Sequence, residues 1–354
     1  MITKELISGL DQGGMGLAIT GMGDQLLDAV ARTEQALDTL TLPNKDSITN
    51  IILAGLGGSA IGGDLVRSYL LPSLLLPFVI NRTYSLPEFT GKNSLVIVSS
   101  YSGSTEETLS MYDIARAKGA QIVCASTGGK LKEFADRDGV PFITLPTGFQ
   151  PRAALGYSFV PVLLILERMG LCSTQKVHLK ETADLLNELV KRYGTDAINE
   201  NNDALRIATI LRSKVPVIYS DSESLDTVNI RWRGQIQENA KHIAFGNVLP
   251  EMNHNEINGW AHPTGIQDHF VSIFLRSTQD EHERVGKRFE ILKEVLVGKG
   301  VKVIELEATG SSRLARMFSL VALGDWISYY IALLLGEDPS PVPVIMLLKK
   351  KLAG

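Results

Sequence analysis

The stretch Ser100-Tyr101-Ser102-Gly103-Ser104-Thr105 places four serine and threonine hydroxyls and a glycine within six residues, and two acids, Glu106 and Glu107, follow it. It comes after the apolar run Leu95–Val98 and opens a helical pattern, so hydroxyls and backbone amides converge on one turn. Such a turn can donate several short hydrogen bonds to a single phosphate monoester. A plain helix cap at Ser104 or Thr105 accounts for one hydroxyl, not four. A second loop, Gly55-Leu56-Gly57-Gly58-Ser59-Ala60-Ile61-Gly62-Gly63, also follows an apolar run and opens a helix. Gly57 and Gly58 let the backbone approach an anion, and the helix N-terminus offers free N–H groups and a positive dipole end. The loop also satisfies the spacing of a dinucleotide-binding fingerprint, with Ala60 at the third small position.

Reactive side chains are densest between Arg231 and Glu256, which include Gln235, Glu238, Lys241, His242, Glu251, Asn253, His254 and Asn255. The first part reads as a helix and the second as a loop; spacing puts Gln235, Glu238 and His242 on one helical face. Taken alone, Glu238 fits a solvated, salt-bridged face and His254 a surface histidine. Arg152, in Pro151-Arg152-Ala153-Ala154, is a guanidinium suited to stabilising developing negative charge or to a structural ion pair. His254, His262 and His269, with Glu251, Glu256 and Asp268, lack the tight spacing of a zinc site. The run Lys349-Lys350-Lys351 reads as a solvated helix end.

The elements that must position these groups alternate along the chain. Apolar runs at Ile51–Ala54, Phe78–Ile80, Leu95–Val98, Ile122–Ala125 and Pro141–Leu145 are continuous rather than alternating, as in strands covered on both faces. Helical patterns lie at Gly23–Leu40, Thr105–Lys118 and Ala153–Met169. After charged helical sequence from Thr174 to Arg192, a second series begins. Its strands are Val215–Tyr219, Phe270–Leu275 and Val301–Leu306, with helices at Asp226–His242 and Glu281–Gly298. The pattern predicts an α/β fold of two tandem, doubly wound parallel sheets flanked by helices. We divide it into an N-terminal helical segment (1–40), a first domain with the phosphate loops (41–170), a helical connection (171–198), a second domain with Glu238 and His254 (199–336) and a C-terminal helix (337–354). In open sheets of this kind, ligands bind in the loops beyond the strand C-termini.

Composition narrows the class. The 354 residues suit two domains, and 44% hydrophobic with 21% charged residues is ordinary for a globular enzyme. A net charge of −4 supplies no basic face for nucleic acid. Cys124 and Cys172 have neither close spacing nor a metal motif, so they read as idle thiols of a reducing compartment. The sequence beginning Met1-Ile2-Thr3-Lys4-Glu5 is no signal peptide. Phe318–Gly336 is long enough to span a membrane, but Asp325 in its middle argues for a helix buried in a core or interface. The protein reads as cytoplasmic, without a membrane partner.

These motifs together resemble the sugar isomerase (SIS) domain proteins, and most closely the bifunctional phosphoglucose/phosphomannose isomerases. The resemblance covers most of the chain: the glycine loop ending at Ser59, the Ser100–Thr105 loop, the Glu238-Asn239-Ala240-Lys241 block and Asn253-His254-Asn255-Glu256. It implies two flavodoxin-like SIS domains, with the substrate phosphate held at Gly57, Gly58, Ser59, Ser100, Ser102 and Thr105. It implies Glu238 as the general base between C2 and C1 of an open-chain sugar phosphate, and Arg152 as the stabiliser of an enediolate. His254, reaching in from a neighbouring subunit of a homodimer, and Lys349 would assist ring opening, with Lys350 adjacent as an alternative. Chemistry of this kind needs neither metal nor redox cofactor. The reading that follows is a metal-independent isomerase joining glucose 6-phosphate and mannose 6-phosphate to fructose 6-phosphate. A non-catalytic phosphosugar-binding regulator is the alternative. A nicotinamide dehydrogenase is weaker: Asn81-Arg82 stands where an acid for the ribose is expected, although Arg82 would suit a 2′-phosphate.

Overall fold

The computed structural model describes residues 2–352 and separates into two compact units. One is Met22–Ala183; the other joins the N-terminal residues through Gly21 to those from Asp184 onward. The chain begins with short helices α1 (Lys4–Leu10) and α2 (Met15–Thr20), which belong to the second unit.

The Met22–Ala183 unit runs α3 (Met22–Leu37), β1 (Asn50–Ala54), α4 (Gly57–Leu70), β2 (Phe78–Asn81), β3 (Ser94–Ser100), α5 (Glu106–Ala117), β4 (Gln121–Ser126), α6 (Gly129–Asp138), β5 (Phe142–Thr144) and α7 (Leu155–Arg168). Its five strands are all parallel, in the order β2-β1-β3-β4-β5. Every residue of β3 is buried, which is why its sequence is an unbroken apolar run closed by small hydroxyls. Ile52, Val96, Val98, Ile122 and Cys124 from the sheet meet Met111, Tyr112 and Ala115 of α5 and Leu131 and Ala135 of α6 in one core. The chain leaves β1 toward β2 and returns on the other side at β3, so β1 and β3 flank the point where the winding reverses. That is where such sheets open a crevice for a ligand.

Helix α8 (Lys176–Tyr193) contains the division. The second unit continues with α9 (Asp203–Leu211), β6 (Val215–Asp221), α10 (Asp226–Ala240), β7 (Phe245–Leu249), α11 (Glu256–Gly259), β8 (Phe270–Arg276), α12 (Glu283–Gly298), β9 (Lys302–Glu307), α13 (Arg313–Leu335) and α14 (Pro343–Leu352). Its four strands are parallel in the order β7-β6-β8-β9. The sequence pattern does not reveal β7, whose Phe-Gly-Asn-Val-Leu lacks an apolar run; it is an edge strand and only half-buried. Asn229 of α10 holds it in place, donating from Nδ2 to the carbonyls of Ile218 and Asn247 at 2.9 Å each. Helix α13 is long and apolar enough to cross a membrane, yet nearly all of it is buried within the unit, against α9 and α10. It is a core helix, as the central Asp325 predicts.

The loop after β8 is tied to the start of α13 by a buried ion pair. Arg316 reaches both oxygens of Asp280, at 2.7 and 2.6 Å, and Ser277 donates to the same carboxylate at 2.5 Å. Burial alone would raise the Asp280 carboxyl, but the bonds from Arg316 and Ser277 outweigh it and hold it below its ordinary value. A carboxyl depressed in the folded state contributes stability above its unfolded pKa of about 4 and loses it as the pH falls through the folded value. Asp280→Asn should therefore cost about 3 kcal/mol at pH 7, because Arg316 keeps its bonds to Gln279 and the Ser311 carbonyl but loses its buried counter-charge. The gap between the denaturant midpoints of variant and parent should narrow as the pH is lowered below about 4.

Candidate functional site

The two loops expected to hold phosphate lie at the C-terminal ends of neighbouring strands. Gly55–Leu56 leads from β1 into α4, and Tyr101–Thr105 leads from β3 into α5. The Ser59 hydroxyl joins them, accepting the amide N–H of Tyr101 at 3.0 Å. Neither helix is capped by a side chain. Leu56 occupies the N-cap of α4, and Thr105 that of α5 without making the capping bond. The Thr105 hydroxyl instead accepts from Ser100 Oγ at 3.1 Å and lies 3.5 Å from Ser102 Oγ. Ser100 Oγ also accepts the amide of Gly103 at 3.2 Å. The local alternative of a capped turn is thus not what the chain builds. It leaves two open helix N-termini, ringed by Ser59, Ser100, Ser102 and Thr105, at one end of the sheet. Ser59 and Ser100 are buried and Ser102 is exposed. Open amides, positive dipole ends and hydroxyls make an anion site.

Backbone geometry sets this arrangement. Gly103 has φ +67, and a Cβ there would run into the carbonyl oxygen of Gly128 in the turn after β4. That turn braces the hydroxyl loop: Thr127 donates from Oγ1 to the Tyr101 carbonyl at 2.8 Å, and its own amide donates to the same oxygen at 3.1 Å. A Cβ on Gly58 would lie 2.5 Å from the carbonyl oxygen of Pro151, so only glycine allows the Arg152 turn to sit against the first loop.

Arg152 is buried in a single 3-10 turn, Pro151–Ala153, ahead of α7. Two residues that sequence reasoning missed hold this turn. The Tyr101 hydroxyl donates to the carbonyl of Pro146 at 2.9 Å and accepts from the amide of Phe149 at 3.2 Å, tying the hydroxyl loop to the segment that leads to Arg152. Gln25 of α3 donates to the carbonyl of Ala153 at 2.9 Å and accepts the amide of Gly156 at 2.7 Å. No sequence signal marks Gln25, which stands in an amphipathic helix that also carries Gln35 and four charged residues.

In the other unit, α10 carries Glu238. Its inner face is bonded to α13: Arg231 and Gln235 donate to the Asp325 carboxylate at 2.7 and 2.9 Å, and Asn239 donates to Ser328 at 2.9 Å. Glu238 lies beside that face, half-buried, and lines a groove of about 400 Å³ with Gln237, Lys241, His242, Ile243 and Phe245. The opposite wall is Val342–Ile345, the approach to α14 and its first turn. His242 does not continue the helical face expected of it. Lys241 adopts the left-handed conformation, φ +52, and ends α10 after Ala240; His242 Nδ1 pairs with the carbonyl of Ile243 at 2.8 Å. Lys349 is exposed on the last turn of α14 and is not among the groove's lining residues, and Lys350 is exposed beside it.

His254 ends the 3-10 turn Glu251–His254, is exposed, and does not line the Glu238 groove. Two residues later, Glu256 anchors this loop to the sheet. Its carboxylate accepts from the Tyr219 hydroxyl of β6 at 2.6 Å and from Asn247 Nδ2 of β7 at 2.7 Å, and Trp260 Nε1 donates to the same hydroxyl at 3.1 Å.

Other chemistries find less to work with. Burial pushes the thiol of Cys124 up, and burial together with Glu167 pushes that of Cys172 up to about 11, so neither is a ready nucleophile. Among the described residues no three His, Cys, Asp or Glu side chains cluster as a metal site. Arg82, which a dehydrogenase would need for a 2′-phosphate, donates to the buried carboxylate of Asp64 on α4.

Comparison with known proteins finds relatives over most of the chain. A family model described as the bacterial phospho-glucose isomerase C-terminal SIS domain matches residues 200–352. A bifunctional phosphoglucose/phosphomannose isomerase of Caldicellulosiruptor bescii is 46% identical over 308 residues, covering 87% of this chain and 91% of the relative. A protein of the same name from Aquifex aeolicus is 37% identical, over 85% and 90%. Among solved structures, a hypothetical protein of Thermus thermophilus superimposes with a TM-score of 0.70 at 18% identity, covering 99% of this chain and 94% of that one. The C-terminal domain of glucosamine-fructose-6-phosphate aminotransferase from Francisella tularensis gives 0.67 at 14%, over 96% and 100%. At these identities the structural likeness speaks for the fold, two tandem SIS domains.

Gly103→Ala tests the anion site. The left-handed backbone costs an alanine roughly 1–2 kcal/mol, and its methyl group must displace the Gly128 turn. Calorimetric titration with inorganic phosphate should show affinity at least tenfold weaker than that of the parent protein. Unchanged affinity would separate the hydroxyl loop from anion binding.

Proposed function

Because this chain belongs to the family of bifunctional phosphoglucose/phosphomannose isomerases, we propose that it interconverts glucose 6-phosphate and mannose 6-phosphate with fructose 6-phosphate. The observation that carries the reading is the pair of uncapped helix N-termini joined through Ser59 and Tyr101. A doubly charged phosphate is the ligand that such a convergence of donors suits best.

The phosphate then anchors the sugar through Ser59, Ser100, Ser102 and Thr105, with the backbone of Gly57 and Gly58 close by. Glu238 removes the proton from C2 of the open-chain aldose as the carbonyl oxygen at C1 takes up negative charge. The resulting enediolate is stabilised by the Arg152 guanidinium. Return of the proton to C1, with the hydroxyl proton passing from O2 to O1, yields the ketose. Starting from the ketose, delivery of the proton to either face of C2 yields one aldose or the other, so the base must reach both faces. The chemistry is proton transfer throughout and calls on no metal. His254 and Lys349 assist ring opening. The exposure of His254, away from the Glu238 groove, favours its contribution to the site of a second subunit in a homodimer. We place the enzyme in the cytoplasm. The regulator alternative loses ground because the relatives that cover most of the chain carry the names of enzymes.

Glu238→Gln should lower kcat by about 10³-fold while calorimetric affinity for glucose 6-phosphate changes by less than about threefold, because general-base catalysis contributes on that order. Turnover at the parental level would remove Glu238 from the role. The parent enzyme should also retain its activity on both aldose phosphates after exhaustive treatment with a chelator.

A further inference from the structure

Helix α13 is apolar along nearly its whole buried length, yet it carries a carboxylate, Asp325, at its centre. The membrane reading of that helix would have made this acid costly, and the proposed reaction gives it no part. Every bond that it makes runs to the helix carrying Glu238 or along its own turn. Oδ2 accepts from Arg231 Nη2 at 2.7 Å and Oδ1 from Gln235 Nε2 at 2.9 Å. Its backbone carbonyl accepts from Ser328 Oγ at 2.8 Å, and Ser328 Oγ in turn accepts from Asn239 Nδ2, the residue next to Glu238. Trp232 Nε1 donates to the carbonyl of Leu320 at 2.8 Å, and its ring lies over Gly324, where any Cβ would collide with it. Four residues of α10, at positions 231, 232, 235 and 239, are thus bonded to one helix across two turns.

Apolar packing alone would hold α10 against α13, but it is non-directional and tolerates rotation. A buried ion pair is generally no more stabilising than well-packed apolar side chains of the same volume. What the hydrogen bonds add is orientation: turning α10 by one residue, about 100°, would break all of them at once. We infer that Asp325 is a positioning residue, which sets the rotation of α10 and so directs Glu238 at its substrate. The inference rests on the reading of Glu238 as the base.

The experiment compares Asp325→Asn, the double variant Arg231→Met/Asp325→Leu and Glu238→Gln with the parent. It measures kcat and KM for fructose 6-phosphate, affinity for inorganic phosphate, and the thermal midpoint. The double variant exchanges the pair for apolar volume but leaves the buried Gln235 amide without its acceptor, so it should melt only a few degrees below the parent. Its kcat should nevertheless fall at least tenfold, with KM and phosphate affinity within about twofold, because the phosphate residues belong to the other unit. Asp325→Asn should show the same split between kcat and KM. A double variant with parental kcat overturns the inference, as does a KM that rises as much as kcat falls, or a thermal midpoint far below that of the parent. An active Glu238→Gln would instead bring down the base assignment, and the positioning role with it.

Discussion

A phosphate group can be held by backbone amides only where the protein leaves those amides open. In the Met22–Ala183 unit the chain does so twice on adjacent strands. Leu56, whose side chain cannot accept a hydrogen bond, stands at the N-cap of α4, and Thr105 turns its hydroxyl toward Ser100 rather than to the helix it precedes. The second unit has the same winding, with β6 and β8 flanking the reversal, but its loops are filled by its own acids. Asp221 accepts the amides of Glu223 and Ser224 at 2.8 and 2.5 Å and the Ser224 hydroxyl at 2.6 Å, and Asp280 takes up Ser277 and Arg316. One topology therefore supplies open helix N-termini in one unit and a closed, internally hydrogen-bonded loop cluster in the other.

The second unit spends its polar groups on rigidity. The Arg231–Asp325 pair and its neighbours set α10 against α13, and Glu256 fastens the His254 loop to β6 and β7. In the proposed reaction these are the two supports that matter, because a base or an acid misplaced by an ångström loses much of its effect. The first unit follows the same plan around Arg152, where Tyr101 and Gln25 hold a turn that has no long helix of its own.

The tandem α/β architecture was legible because strands buried on both faces leave continuous apolar runs, as at Leu95–Val98 and Phe270–Leu275. β7 was not legible. An edge strand needs no such run, and a side chain distant in sequence, Asn229, secures it. Periodicity carried α10 as far as His242, but the left-handed Lys241 stops it earlier, and nothing in the identity of a lysine announces that conformation. The two strand-to-helix turns were legible as runs of hydroxyls and glycines after apolar strands. The residues that lock them were not: Tyr101 and Gln25 act through tertiary contacts that spacing along the chain does not encode. The roles of Glu238, His254 and Lys349 came from family resemblance, and an isolated glutamate in a charged helix would not have suggested them.

Proton transfer through an enediolate leaves a mark that other routes to the same products do not. The most direct measurement is to start the enzyme on fructose 6-phosphate in deuterium oxide and follow C2 of both products by NMR. An enediolate route with Glu238 as its base predicts deuterium at C2 of glucose 6-phosphate and of mannose 6-phosphate, and loss of both signals together in Glu238→Gln. Formation of either aldose phosphate with only protium at C2, at an undiminished rate in that variant, would contradict it.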